Sequence, residues 1–451
     1  MNDSKTGVDS LTLGYHGAAF ESLKKSGAEI GDRVRIVDDK KIYEGILIPQ
    51  TELGDEHIIV MKLDSGYNVG VHVGSGTKIE VIGKGGKPSF IRPPAPPSRE
   101  DLPKVAVIST GGTIASRVDY RTGSVEPALT AEDLYSVVPE LSDIAQVTAD
   151  VLYSEFSENL TTKHWQEIAN TVWKYYQKNM QGVVICHGTD TMAYTGAALS
   201  FVLQNLPIPV VLVGSQRSSD RPSSDAATNL IGAVSISSAS PCSEVVLVMH
   251  EKTSDNFLLV HRATRVRKCH TSSRDAFRSI NSPPIARYDL REKRLEFHVE
   301  NYRKRGEGGN AALKPNFDDR VALIKFYPNM NPGVIDWHVD KGYRGLVLEG
   351  TGLGHVSRYC YDSIKRAIEK GLLIGMTSQC IWGRINMNVY YTGRDLLSMG
   401  VLQLEDMIPE TALVKMMWTF GQTSNVTEAS KLMLTDLAGE TTPRRTISGE
   451  Q

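Results

Sequence analysis

Two patterns of apolar and polar positions divide the chain near residue 84. The first part contains five short β-branched runs in which apolar and polar residues partly alternate, with Gly, Asp and Ser between the runs: GDRVRIV, YEGILIP, HIIVMKL, YNVGVHV and TKIEVIG. Short alternating runs bounded by turn residues are typical of antiparallel strands. Five of them in succession predict a small N-terminal β-barrel, preceded by a short helix over residues 18–25.

A proline-rich segment follows the predicted barrel. It contains five prolines between Pro88 and Pro97, and such a run cannot enter a helix or the interior of a sheet. We therefore predict an extended spacer over residues 88–103, with the barrel domain over residues 1–87.

From Lys104 onward, continuous apolar runs alternate with helical patterns. KVAVIS, GVVIC, PVVLVGSQ and EVVLVMH are separated by segments such as TTKHWQEIANTVWKYYQKNM, whose apolar residues recur at helical spacing. This alternation predicts an α/β fold with mostly parallel sheets covered by helices on both faces. The pattern returns in RVALIKFYP, GLVLEGTGLG and LLIGMTSQC, so we predict two lobes, over residues 104–305 and 306–451. The tail after Lys431 is expected to fray.

Composition and charge narrow the function. The 50 Lys and Arg residues against 52 Asp and Glu residues give a net charge of −2, without the basic excess of a nucleic-acid-binding chain. The five cysteines form no C-x-x-C pair, which disfavours a disulfide scaffold or a structural zinc site. The first residues lack the pattern of a signal peptide, and apolar runs fall short of the ~18 residues of a membrane span. A cytoplasmic protein without membrane association is expected.

Candidate chemistry lies in the loops that follow the apolar runs, because doubly wound sheets bind ligands beyond the carboxyl ends of their strands. KVAVIS is followed by TGGT, which presents the Thr113 hydroxyl, and GVVIC is followed by HGTDT, which presents Thr189 and Asp190. A hydroxyl nucleophile needs a base or a desolvated lysine nearby, and Lys268, in HRATRVRKCHTSSRDAF, is the candidate.

Each of these signals also has a purely structural interpretation. TGGT is compatible with an ordinary strand-to-helix turn, and HGTDT with a helix N-cap. Residues 262–278 contain six Lys or Arg and one acidic residue, Asp275, as in a solvated face or an anion-binding patch. The spacing of Cys186, His187 and Asp190 matches no standard metal motif, so we predict no metal site.

The two loop motifs occur in longer segments, VISTGGTIAS and GVVICHGTDTM, which resemble the two signatures of the bacterial-type L-asparaginase family. The resemblance spans roughly residues 104–422 and implies a threonine nucleophile that releases ammonia from asparagine or glutamine through an acyl-enzyme. It implies catalytic roles for Thr113, Thr189, Asp190 and Lys268, with Tyr120 as the lid tyrosine. We favour Thr113 as the residue that attacks, with Thr189 placing water or relaying a proton.

The same resemblance implies that Ser157 and Glu158, in FSENLT, bind the α-carboxylate and α-amino groups of the substrate. Many members of the family carry Ser-Gln at these positions, so Glu158 alters the local charge. A homodimer is also implied, in which a second copy completes the site. The loop from Gly350 to His355 is our candidate for that contribution, although the Asn residues expected in the family's version are absent.

The predicted barrel and spacer are not needed by a free asparaginase. With GSQRSSDRPSSDAATNL, they resemble the D-subunit family of the archaeal glutamyl-tRNA(Gln) amidotransferases. That resemblance implies a heterotetramer of two D and two E subunits. This chain would supply ammonia without a cofactor, and the E subunit would bind Glu-tRNA(Gln) and use ATP and Mg²⁺. The alternative is a stand-alone cytoplasmic L-asparaginase or glutaminase. For the amidotransferase subunit, Arg265, Arg267 and Lys268 are predicted to mark a coupling segment near the site, and the structural alternative is a salt-bridged face.

Overall fold

The computed structural model describes residues 14–38, 41–50, 54–64, 68–74, 76–84, 99–112, 114, 116–119, 124–127, 130–218, 223–307 and 309–443. Two residues singled out by the sequence, Thr113 and Tyr120, lie outside these ranges, as does most of the predicted proline-rich spacer.

The N-terminal unit is a helix packed on a five-stranded antiparallel sheet. Its elements are α1 (Gly17–Ser26), β1 (Arg33–Asp38), β2 (Lys41–Leu47), β3 (Ile58–Leu63), β4 (Asn68–His72) and β5 (Lys78–Gly83). The strand order is β4-β3-β2-β1-β5, and alternate residues such as Val34 and Ile36 enter the core with Leu23. The predicted helix and five strands are confirmed. Closure into a barrel stays a prediction, because β4 and β5 are the outer strands of the described sheet.

The larger α/β unit contains a mixed eight-stranded sheet. Its elements are β6 (Lys104–Ser109), β7 (Ser116–Asp119), β8 (Ser124–Pro127), α2 (Ala131–Val137), β9 (Gln146–Val151), α3 (Thr162–Gln177), β10 (Gly182–Cys186), α4 (Met192–Val202), β11 (Leu203–Gln204), β12 (Val210–Val213), α5 (Ala226–Ala239), β13 (Val245–His250), β14 (Phe257–Arg262), β15 (Val266–Lys268), β16 (Phe277–Ser279), β17 (Ala286–Asp289) and β18 (Arg294–Phe297).

The order of the eight-stranded sheet is β18-β17-β14-β13-β12-β10-β6-β9. Five neighbouring strands are parallel: β9, β6, β10, β12 and β13. Strands β14, β17 and β18 extend the sheet in antiparallel fashion. The central parallel strands, β6, β10, β12 and β13, are buried on both faces, with α3 and α4 on one side and α5 on the other. Because both faces are covered, these strands consist of continuous apolar residues, as the sequence predicts.

The smaller unit contains a four-stranded parallel sheet in the order β20-β21-β22-β23. Its elements are β19 (Ala312–Leu313), β20 (Val321–Lys325), α6 (Gly333–Asp340), β21 (Gly345–Gly350), α7 (Tyr361–Glu369), β22 (Leu373–Ser378), α8 (Tyr391–Met399), β23 (Leu402–Gln403), α9 (Pro409–Gln422) and α10 (Val426–Leu434). Short 3₁₀ turns cover Pro139–Asp143, Ser157–Asn159, Ala263–Arg265 and Arg358–Cys360. No helix in the described part of the chain is long and apolar enough to cross a membrane.

Helix α9 joins the two α/β units, because it packs both on its own sheet and on α4 of the larger unit. Trp418 stacks on Phe201 with 5.9 Å between ring centroids, and its indole N–H donates to the Lys314 carbonyl at 3.0 Å. The two units therefore share one apolar core along this helix.

The expectation that the tail frays after Lys431 is wrong for the residues that the structure describes. Helix α10 runs to Leu434, and the chain then returns to the protein and buries Glu440 completely. Glu440 forms an ion pair of 2.6 Å with Lys415, which is itself fully buried on α9. Lys415 also donates to the carbonyls of Met433 and Thr435. Because the tail is polar in composition, the sequence gives no sign that Glu440 pairs with the buried Lys415.

Lys415→Met is expected to destabilise the protein by about 3–5 kcal/mol, because it leaves the Glu440 carboxylate buried without its cation. Adding Glu440→Gln is expected to restore much of that loss, since the amide oxygen still accepts from the backbone N–H groups of Leu437 and Ala438. Urea unfolding of the two variants and the parent measures both effects. Equal stability of the parent and Lys415→Met would contradict the burial of this pair.

Candidate active site

The two motif turns lie side by side at one edge of the larger sheet. Strands β6 and β10 are parallel neighbours, and Ser109 pairs with Cys186 at their carboxyl ends. Thr110 fastens the turns together, because its backbone N–H and its hydroxyl both donate to the Cys186 carbonyl at 3.0 Å. The strand after β10 in the sheet, β12, continues this edge, with the His187 N–H bound to the Val213 carbonyl at 2.9 Å.

Glycines allow the turns to touch a third segment, residues 155–158. Gly111 has φ +113°, and a Cβ there would lie 2.1 Å from the Glu155 carbonyl oxygen. A Cβ on Gly188 would lie 2.8 Å from the Ser157 Cβ. A side chain at either position would push the segments apart, so the glycines are required for this close approach.

Lys268 reaches this edge from β15 and contacts both polar residues of the second motif. Its Nζ donates to Thr189 Oγ1 at 2.9 Å and to Asp190 Oδ1 at 2.8 Å. Thr189 is buried and the Lys268 side chain is largely buried, whereas Asp190 is mostly exposed. The structure thus brings together three of the four residues for which the resemblance implies catalysis.

Ser157 lies against the second turn with its hydroxyl unused. The residue is buried, its carbonyl accepts from Thr191 Oγ1 at 2.7 Å, and its Oγ has no hydrogen-bond partner among the described residues. Glu158 follows on the surface. A buried hydroxyl without a partner is uncommon, and this one lies against the second motif turn.

Thr113 and Tyr120 lie outside the described residues, so their predicted roles as nucleophile and lid stay predictions. Gly112, the residue directly before Thr113, is described: it has φ +74° and packs against Gly188.

His187 supports the site from the core. Its Nε2 lies 2.9 Å from Thr195 Oγ1, which also accepts from the Trp165 indole, and its Nδ1 lies 2.6 Å from the Gly188 carbonyl. Burial lowers the pKa of His187 to about 4, against the opposing effect of the bond to Gly188. The ring is therefore neutral near pH 7, and its contacts tie the second turn to α3 and α4.

The basic run of residues 262–278 is paired charge by charge with acidic residues. Six ion pairs of 2.7–3.1 Å join Arg262 to Glu244, Arg265 to Asp406, Arg267 to Glu410, Lys268 to Asp190, Arg274 to Asp255 and Arg278 to Asp275. Five of the six partners lie outside the run. A segment in which every cation has its own carboxylate is a salt-bridged scaffold, which is one of the two interpretations left open by the sequence.

Asp406 and Glu410 were not identified by motif or spacing. Both lie more than 140 residues from the arginines that they bind, Arg265 and Arg267. Both are buried acidic residues at or next to α9. The burial of a carboxylate can be predicted only when its three-dimensional surroundings are known, so no local sequence pattern identifies these two partners.

Comparisons with known families define the class of protein. Residues 104–303 match the family model described as asparaginase, N-terminal, and residues 320–433 match the glutaminase/asparaginase C-terminal domain. Residues 28–82 match the GatD N-terminal domain. The L-asparaginase of Thermococcus kodakarensis superposes with a TM-score of 0.68 at 31% identity over 76% of this chain and 100% of its own. L-asparaginase I of Vibrio cholerae gives 0.66 at 29% identity, over 76% and 99%.

Full-length relatives are more specific. The chain is 52% identical over 443 residues to the D subunit of the glutamyl-tRNA(Gln) amidotransferase of Methanopyrus kandleri, covering 96% of each chain. It is 52% identical over 428 residues to the protein of the same name from Pyrococcus furiosus, covering 94% of this chain and 97% of the other. The chain belongs to the family of glutamyl-tRNA(Gln) amidotransferase D subunits.

Buried neutral histidines make the folded protein sensitive to acid. Burial, assisted by the charge of Arg278, lowers the pKa of His261 to about 3, and that of His187 is about 4. The unfolded chain binds these protons near pH 6.5, so stability falls as the pH drops below that value. Each histidine is expected to cost up to about 1.4 kcal/mol per pH unit.

His261→Asn, which cannot become charged, is expected to show a shallower loss of stability between pH 6.5 and 4. Urea unfolding at several pH values measures the slope for variant and parent. Identical slopes would show that His261 carries no such penalty.

Proposed function

We propose that this chain is the ammonia-generating subunit of a glutamyl-tRNA(Gln) amidotransferase. It would release ammonia from glutamine or asparagine, and the E subunit would use that ammonia to convert Glu-tRNA(Gln) to Gln-tRNA(Gln) with ATP. The observation that carries the chemical part is the pair of hydrogen bonds from Lys268 to Thr189 and Asp190. Family membership over nearly the whole chain supports the biological part.

The proposed reaction divides the work between two threonines. Thr113 Oγ1 attacks the amide carbon of the substrate and its hydroxyl proton passes to the amide nitrogen, so that the carbon–nitrogen bond breaks and ammonia leaves. Water then attacks the acyl-enzyme and regenerates the threonine. In the relay, Lys268 donates to Thr189 Oγ1 and to the Asp190 carboxylate, and so holds the hydroxyl that places the water or relays a proton.

The turns supply the electrostatic part of the proposed mechanism. Glycines 111, 112 and 188 allow backbone N–H groups to approach the oxygen that becomes negative when the amide carbon is attacked. The Ser157 hydroxyl, unpaired among the described residues, would donate to the α-carboxylate of the amino acid. Glu158 would accept from the α-ammonium.

The second copy implied by the family would bring its smaller lobe to this edge. Phe156, next to Ser157, has 74% of its surface exposed. We propose that it packs against the partner copy, and that the loop from Gly350 to His355 contributes to the neighbouring site. ATP and Mg²⁺ would be bound by the E subunit, in a complex of two D and two E subunits.

The alternative, a stand-alone asparaginase or glutaminase, shares the same site and differs in its dependence on a partner. It is not favoured, because residues 28–82 match the GatD N-terminal domain. The two L-asparaginases align over 100% and 99% of their own length but over only 76% of this chain.

Lys268→Met is expected to reduce ammonia release by about 10²–10⁴-fold, because it removes the group that holds the Thr189 hydroxyl and the Asp190 carboxylate in the relay. Thr189→Val is expected to cause a comparable loss. Lys252→Met, at an exposed lysine outside the site, is the matched control and is expected to keep the parent rate. Ammonia release from glutamine and from asparagine measures all three. A parent-like rate in Lys268→Met would reject the proposed site.

Dependence on the partner is tested with the intact chain alone, with the E subunit, and with both the E subunit and Glu-tRNA(Gln). We expect low ammonia release from the chain alone and a marked rise when partner and charged tRNA are both present, since uncoupled turnover wastes glutamine. High activity in the chain alone, unchanged by either addition, would support the stand-alone enzyme.

A further inference from the structure

We propose that Asp406 and Thr442 are positioning residues for Lys268, acting through Arg265. This inference rests on the proposed function, since it concerns the lysine of the same site. It extends that function to the C-terminal segment of residues 438–442, for which no role follows from the motifs or from the family matches, because the C-terminal family match ends at residue 433.

Lys268 stands at the end of a very short strand. Strand β15 has three residues and pairs with β16, where Lys268 lies opposite Phe277. Beyond it, the Cys269 N–H binds the Ala276 carbonyl at 2.7 Å. A three-residue ladder fixes direction poorly by itself, so the position of the ammonium depends on what holds the other end of the strand.

That other end is held by the smaller lobe and the tail. Arg265 is fully buried, and its Nη1 contacts Asp406 Oδ2 at 3.1 Å while its Nε donates to the Gly439 carbonyl at 2.8 Å. Thr264 Oγ1 donates to the Ala438 carbonyl at 3.0 Å. Both residues directly before β15 are therefore bound to the chain's last described segment.

Asp406 is shared between the arginine and the tail. The Thr442 N–H donates to Asp406 Oδ1 at 3.0 Å, and the Thr442 hydroxyl donates to Oδ2 at 2.5 Å, the same oxygen that contacts Arg265. Thr442 thus fixes the rotation of the carboxylate that holds the arginine. Arg265 Nη1 also donates to the Asp406 backbone carbonyl at 3.3 Å, whereas Arg265 Nη2 has no partner among the described residues. Arg384 Nη2 lies 3.7 Å from Asp406 Oδ1.

The partner strand is anchored to the same point. The Ile280 N–H donates to the Arg265 carbonyl at 2.6 Å, and Asn281, at φ +60°, donates from Nδ2 to the Asp406 carbonyl at 2.9 Å. The residue before β15, Arg265, and a residue after β16, Asn281, are therefore both hydrogen-bonded to Asp406. A shift of this point moves the ladder as a unit, and displacements near 1 Å can cost about 10² in rate.

The test is Thr442→Val, which keeps the shape of the side chain and removes its hydroxyl. We expect kcat for ammonia release to fall about tenfold, with KM changed less than twofold, because substrate contacts are untouched. Thr442→Ser restores the donor and is expected to recover most of the parent kcat. Thr441→Val, the same change at the adjacent threonine, is the matched control, since the Thr441 hydroxyl makes no hydrogen bond to the described residues.

A purely structural role for Thr442 predicts a different result. Thr442→Val would then lower Tm and leave kcat of the folded protein unchanged when assayed well below Tm. That outcome would overturn the inference, as would equal kcat values for Thr442→Val and Thr441→Val.

A double-mutant cycle separates this inference from the proposed function. In a Lys268→Met background, Thr442→Val is expected to change the residual rate less than about twofold, because its effect passes through the lysine. The same loss from Thr442→Val in both backgrounds would overturn the positioning role while the proposed site stands. A parent-like rate for Lys268→Met would overturn both.

Discussion

The structure depends on the requirement that a buried charge be satisfied where the two α/β lobes meet. Arg265 is fully enclosed, and a buried cation deprived of its anion costs about 3–5 kcal/mol. Asp406, from the smaller lobe, supplies the charge, and the Gly439 carbonyl supplies a further acceptor. Because neither acceptor belongs to the larger lobe, the lobes and the tail must assemble together for the arginine to be accommodated. Lys415 and Glu440 form a second buried ion pair, which likewise requires the tail to be docked.

This requirement changes the meaning of the basic segment. As a sequence, residues 262–278 present six cations and one acid, which suggests a surface that attracts anions. In the fold, each cation contacts a carboxylate, so little net positive charge is left for a polyanion. The partners Asp406 and Glu410 approach from the smaller lobe, while Asp190 approaches from the sheet edge. Three of these ion pairs, those of Arg265, Arg267 and Lys268, join distant parts of the chain, and Lys268 is the member whose partners lie at the candidate site.

The sequence predicts much of this architecture, because burial on one or both faces of a sheet leaves a periodic record. The five N-terminal strands, the alternation of apolar strands with helices and the two glycine-bearing turns are all legible in that way. The meeting of Lys268 with Thr189 and Asp190 was predictable only through family resemblance. The docking of the tail was not predictable, since Glu440 and Thr442 lie in a short polar stretch that looks solvated until their buried partners are known. Propensity and periodicity carry no information on pairs separated by long stretches of chain.

The two halves of the candidate site consequently rest on different physical supports. Thr189 and Asp190 follow a parallel strand buried on both faces, and Thr110 fixes the adjacent turn to it with two hydrogen bonds. Lys268 lies on a three-residue strand pair, which is anchored to the smaller lobe by the contact between Arg265 and Asp406. Local opening begins where few buried contacts hold a segment, so the lysine half depends most on the closure of the lobes. A candidate site built in this way depends on the docking of the distant end of the chain, which couples the position of Lys268 to the integrity of the whole α/β assembly.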